Sequence, residues 1–194
     1  AVIEDVDMKT PRGLDRALLQ KLIAGEWIER HQNLLIIGKT GVGKSWIGCA
    51  LGHKACRDNR SVLYHRVPRL FDALALARGD GRLDRLLRSL ARVELLILDD
   101  WGLSPLTADQ RRDLLEILDD RHGRAPTMMT SQLPVERGHE TISEPPIAEA
   151  TPARLGQNTP RLLPKADSRT KTTRTSNKSD PTPRANTLRP PNNA

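Results

Sequence analysis

Aromatic side chains are scarce: one Phe, one Tyr and three Trp among 194 residues. A core must therefore be built from aliphatic residues. Long apolar runs are also missing, and none approaches the roughly 18 residues of a membrane span, so no membrane association is expected. The start, AVIEDVDMKT, lacks the basic-then-apolar pattern of a secretory leader. It also lacks an initiator Met, which fits a processed chain or a fragment. Cysteine is limited to Cys49 and Cys56 on one expected helix. That excludes a disulfide framework and favours a reducing, cytoplasmic setting. His31, His53, His65, His122 and His139 have no zinc-ligand spacing.

The net charge of +7 is unevenly placed. Residues 1–150 carry 22 Lys plus Arg against 22 Asp plus Glu, whereas residues 151–194 carry 9 against 2. Those last residues hold 7 of the 14 prolines and no Val, Ile, Met, Cys or aromatic residue. Such a composition cannot bury enough apolar surface to offset ordering entropy, so 141–194 reads as a disordered basic tail. Phosphate contact by the tail is one reading and a solvated end the other. Arg66, Arg69, Arg82, Arg85, Arg88 and Arg92 are diluted by Asp80, Asp84 and Glu94, which favours a solvated face over a DNA surface.

Helix and strand patterns alternate up to Pro134. Helices are expected over 12–31, 44–57, 68–79, 82–91 and 108–122, with Thr10 and Thr107 as caps. Pro11 suits the first turn of the first helix. Short apolar strands are expected at 34–37, 61–67, 93–98 and 127–130, with a loop over 101–105. Fully apolar strands separated by helices indicate an α/β fold, a parallel sheet with helices on both faces.

Gly38, Lys39, Thr40, Gly41, Val42, Gly43, Lys44 and Ser45 match G-x-x-x-x-G-K-[ST] throughout, after a strand and before a helix. Glycines let the backbone wrap an anion, and successive N–H groups form a nest at a helix N-terminus. Lys44 supplies a mobile charge to the outer phosphates, and Ser45 a hydroxyl to Mg2+. Trp46, just beyond, reads as packing its helix rather than stacking a base. Trp27 and Trp101 read as packing or interface residues.

Leu95-Leu96-Ile97-Leu98-Asp99-Asp100 sets two carboxylates at the end of an apolar strand, the edge where ligands of open α/β sheets bind. Asp99 suits Mg2+ through its water shell, and Asp100 suits orienting or deprotonating an attacking water. Thr130, Ser131 and Gln132 end the fourth strand at the same edge. Their polar groups suit the water or the γ-phosphate, and equally suit an ordinary turn.

These motifs together resemble the IstB family of insertion-sequence ATP-binding proteins, relatives of the DnaC helicase loader among the AAA+ P-loop ATPases. The resemblance is carried by 3–46, 52–82, LLILDDWGLSPL (95–106) and MTSQLPV (129–135), and covers about 3–140 as a partial AAA+ domain. It implies ATP and Mg2+ as ligands, homo-oligomers on DNA, and a partner transposase. By motif, Lys44 and Ser45 hold phosphate and Mg2+, Asp99 holds Mg2+, and Asp100 stands where the family has a catalytic Glu. Ser131 or Thr130 takes the place of the first sensor.

Two departures stand out. The resemblance leads one to expect a helical region upstream that this sequence does not include, and nothing after TSQLP is expected to supply the family's trans-acting arginine or fifth strand. The abrupt boundary near 140 fits a frameshift or a natural variant. The family sheet order, 5-1-4-3-2, would then leave 34–37 as an uncovered edge and an aggregation hazard. Expected behaviour is a marginal domain with weakened hydrolysis. Three functions follow: an ATPase assisting transposition, a nucleotide-binding relic of one, or a P-loop kinase or phosphotransferase.

Overall fold

The computed structural model describes residues 1–6, 15–102, 105–132 and, for the backbone alone, 161–162. A 3-10 turn at Ile3–Asp5 precedes α1 (Arg16–Ala24). The Asp15 carboxylate accepts from the N–H groups of Ala17 and Leu18 at 2.9 and 3.1 Å, capping α1. Thr10 and Pro11, the expected start, lie outside the described residues. Gly25, at φ 82°, ends α1 and opens the short α2 (Glu26–Glu29). The single helix expected over 12–31 is thus two, because a left-handed residue cannot continue a right-handed helix.

β1 (Leu34–Ile37) is buried at every position. Its side chains alternate: Leu34 and Ile36 join a cluster with α1, α2 and α3 (Lys44–Arg57), and Leu35 and Ile37 join the opposite one. That second cluster holds α4 (Val67–Gly79), α5 (Leu83–Arg92) and α6 (Ala108–Arg121). The helix-covered parallel sheet is therefore realised, with β2 (Val62–Arg66), β3 (Leu95–Trp101) and β4 (Thr127–Ser131) all pairing in parallel. Thr107 caps α6 as expected, in a reciprocal box with Gln110.

The sheet order is β2-β3-β4-β1-β5, with β5 at Arg161–Leu162. This corrects the expectation of a missing last strand. Leu35 pairs with Arg161 and Ile36 with Leu162, in parallel, so β1 has a neighbour on both sides. A two-residue strand inside a Pro-rich stretch carries no alternation, which is why pattern alone passes it over. The rest of 141–194 lies outside the described residues, as does His139. β3 also differs: it continues through Asp99 and Asp100 to Trp101, where a loop was expected.

At the opposite end of the sheet, Arg121 is 1% exposed. Its guanidinium donates to the carbonyls of Leu90, Val93 and Pro126 at 2.7, 2.8 and 2.6 Å and to Thr127 Oγ1 at 3.0 Å. Burial pushes its pKa down to about 10. Among the described residues, no helix is long and apolar enough to cross a membrane.

Candidate functional site

β1 delivers the chain directly into the 38–45 loop, and the Gly38 N–H donates to the Ser131 carbonyl at 3.1 Å, tying the loop to the end of β4. Gly41 and Gly43 adopt φ of 83° and 89°, and a Cβ built on either would meet nothing within 4 Å. Positive φ, rather than crowding, is what demands glycine there. Gly43 is also the N-cap residue of the 14-residue α3, with no side chain capping it. The first N–H groups of α3 thus have no side-chain cap at the positive end of the helix dipole, a setting suited to an anion.

Lys44 is 7% exposed, and its Nζ donates to the Lys39 carbonyl at 3.0 Å, folding the side chain back across the loop. Burial draws the ammonium pKa down, against the pull of Asp100 and Asp99. Thr40 Oγ1 donates to Gln132 Oε1 at 2.6 Å, closing the loop against the end of β4. Lys39, Thr40 and Gly41 face solvent, while Val42 is buried beneath them. Trp46 is 37% exposed, whereas Ile47, Ala50 and Leu51 on the same helix are buried.

The strongest link is between the two motifs. Ser45 Oγ donates to Asp99 Oδ1 at 2.9 Å, across 54 residues of sequence. Asp99 is fully buried, and Thr130 Oγ1 also donates to its Oδ1. Tyr64, which sequence reasoning passed over, donates its hydroxyl to Asp99 Oδ2 at 2.6 Å. Burial raises the Asp99 pKa, but these three hydroxyls and the Asp100 N–H outweigh it and hold the carboxyl below its usual value. Tyr64 is pushed up to about 12, first by burial and then by its bond to Asp99, so it stays a donor at any working pH.

A β-bulge sets this geometry. Leu98 pairs with Met129 and Trp101 with Ser131, so Asp99 and Asp100 together oppose Thr130. Asp100 adopts φ 62°, its N–H donates to Thr130 Oγ1 at 3.1 Å, and its Oδ2 lies 3.5 Å from Arg66 Nε. Thr130 therefore touches both acidic residues. Ser131 instead donates to the Trp101 carbonyl at 3.2 Å and is 4% exposed. Of the two sensor candidates, Thr130 is the one whose hydroxyl is hydrogen-bonded to Asp99.

The donor set suits a hydrated hard cation beside a polyphosphate: a buried carboxylate, an adjacent hydroxyl, a nearby ammonium and an open nest. Comparisons with known proteins give the family. The sequence model of the family described as "IstB-like ATP binding protein" matches residues 1–177. The likeness thus runs past the boundary expected near 140, consistent with β5 at 161–162. The chain is 64% identical over 162 residues to the putative insertion sequence ATP-binding protein y4pL of Sinorhizobium fredii, covering 84% of this chain and 66% of that one. It spans just under two thirds of that relative's length. Among solved structures, DnaI shares the fold at a TM-score of 0.73 and 22% identity, covering 85% of this chain and 91% of that one. The DnaC helicase loader does so at 0.65 and 18%, covering 77% and 87%. With the phosphate-loop geometry, the parallel sheet and the family match in agreement, the chain belongs to the IstB-like ATP-binding proteins of insertion sequences, on an AAA+-type P-loop fold.

Proposed function

We propose that this chain binds Mg2+·ATP at Gly38–Ser45 and hydrolyses it in support of transposition, acting on DNA as an oligomer with a partner transposase. The observation that carries the site is the Ser45–Asp99 hydrogen bond, which puts the loop and the strand-end carboxylate at one place. The backbone N–H groups of 38–45 and the Lys44 ammonium hold the phosphates, with Ser45 and Asp99 as the Mg2+ residues. Mg2+, when bound, screens charge on the phosphate oxygens and polarises them. Asp100 is the carboxylate placed to accept a proton from the attacking water, and it must first exchange its Arg66 partner for that water. Thr130 holds Asp99 and the Asp100 backbone in register for this.

The Asp100–Arg66 ion pair favours a second reading, in which nucleotide is retained without turnover. One experiment addresses both. Lys44→Ala should lower ATP affinity by roughly 10- to 100-fold, the value of losing a charged hydrogen-bond donor. Undiminished affinity in that variant would remove the assignment. Phosphate release by the unaltered chain, measured on the same samples, separates hydrolysis from retention.

A further inference from the structure

Tyr64 sits on the edge strand β2, opposite Ile97 of β3 and two residues before the Arg66–Asp99 pairing. The residue is 40% exposed on this edge. The hydroxyl nonetheless turns inward to a carboxylate that is 0% exposed, donating to Asp99 Oδ2 at 2.6 Å. The group that requires this bond is Asp99, because a buried carboxylate oxygen left without a donor is costly.

The two oxygens of Asp99 are divided between partners. Oδ1 takes Ser45 and Thr130, the loop and β4, while Oδ2 takes Tyr64 alone among the side chains of the described residues. A carboxylate held on both oxygens cannot swing about its Cβ–Cγ bond. Oδ1 is thereby kept facing Ser45, the loop's hydroxyl.

We propose that Tyr64 is a positioning residue for the metal-binding carboxylate, its hydroxyl fixing Asp99 so that Oδ1 is presented to the phosphate loop. The inference rests on the Mg2+·ATP reading of the site. Outer partners of a metal-binding carboxylate commonly govern metal affinity by 10- to 100-fold. The phenol acts through Asp99 and touches neither phosphate nor metal.

The test uses the full chain and Tyr64→Phe, which keeps the exposed ring and removes only the donor. ATP affinity is measured by calorimetry in excess EDTA and in excess Mg2+, and Mn2+ binding to the ATP-loaded chain by electron paramagnetic resonance. The expected result is unchanged affinity in EDTA, about a tenfold loss of the tightening that Mg2+ confers, and a matching loss for Mn2+. In an Asp99→Asn background the Phe substitution should have no further effect. Wild-type metal dependence in Tyr64→Phe overturns the proposal. An equal loss with and without metal overturns it too, since that is the signature of lost packing. Lys44→Ala, run alongside, reports on the ATP site itself: if it is defective while Tyr64→Phe is silent, only the role of Tyr64 falls.

Discussion

His65 lies between two residues of the site, Tyr64 and Arg66, yet it is half-buried and serves none of the site's contacts described above. Burial lowers its pKa from the ordinary 6.5. The unfolded chain then binds the proton more readily than the folded one between those two values, so stability falls as pH drops through that window. Denaturant melts should show a loss of stability from pH 6.5 downward that His65→Gln largely removes; an identical pH profile in that variant would contradict it. At this scale the loop at 38–45 and Asp99 were legible because their chemistry demands fixed types at fixed spacing. Tyr64 was not, because its relation to Asp99 exists only through the register of β2 on β3. The choice of Thr130 over Ser131 was equally hidden, since the bulge at Asp99 and Asp100 decides which hydroxyl turns to the acids.

Among the elements, α3 carries the C-terminal end of the 38–45 loop and rests closely on the sheet. Gly52 makes this approach: a Cβ there would lie 2.6 Å from Ile97 Cδ1 and 3.5 Å from Val62 Cγ1. Gly52→Ala should therefore lose about 1 kcal/mol despite its better helix propensity, since overpacking costs about 1–3 kcal/mol. Ile97→Val removes the offending carbon and alone leaves a small void costing about 0.5–1.5 kcal/mol. Combined, the two should cost less than their sum, as urea midpoints can show; simple additivity would mean that Gly52 is not set by this contact. Helix α3 itself was readable to the residue, because Gly43 and the turn at Asn59 and Arg60 punctuate it at both ends. The first helix was not, since a glycine inside a helical pattern either weakens the helix or stops it, and only the conformation of Gly25 decides which.

For the whole molecule, the two-faced core follows from strands that are apolar at every position, and this was plain from LLII and LLIL. The fifth strand was not, because its contribution is backbone pairing at Arg161 and Leu162 rather than a side-chain pattern. Ending the chain at residue 160 should leave the backbone of Leu35 and Ile36 unpaired on one side. Increased light scattering on gentle warming and a lower melting temperature are expected relative to the full chain. A truncated chain that melts and scatters as the full one does would show that β5 contributes nothing to the sheet's integrity.

The same pairing has a consequence for synthesis. Leu35 and its partner Arg161 are separated by 126 positions (161 − 35), and a ribosome adding roughly 5–20 residues per second needs about 6–25 s to cover that distance. For that interval the nascent β1, the strand that leads into the 38–45 loop, has one side without its eventual neighbour. The strand that begins the site thus gains its second neighbour only once residues 161 and 162 have been made, so the binding loop's support is completed well after the loop itself is synthesised.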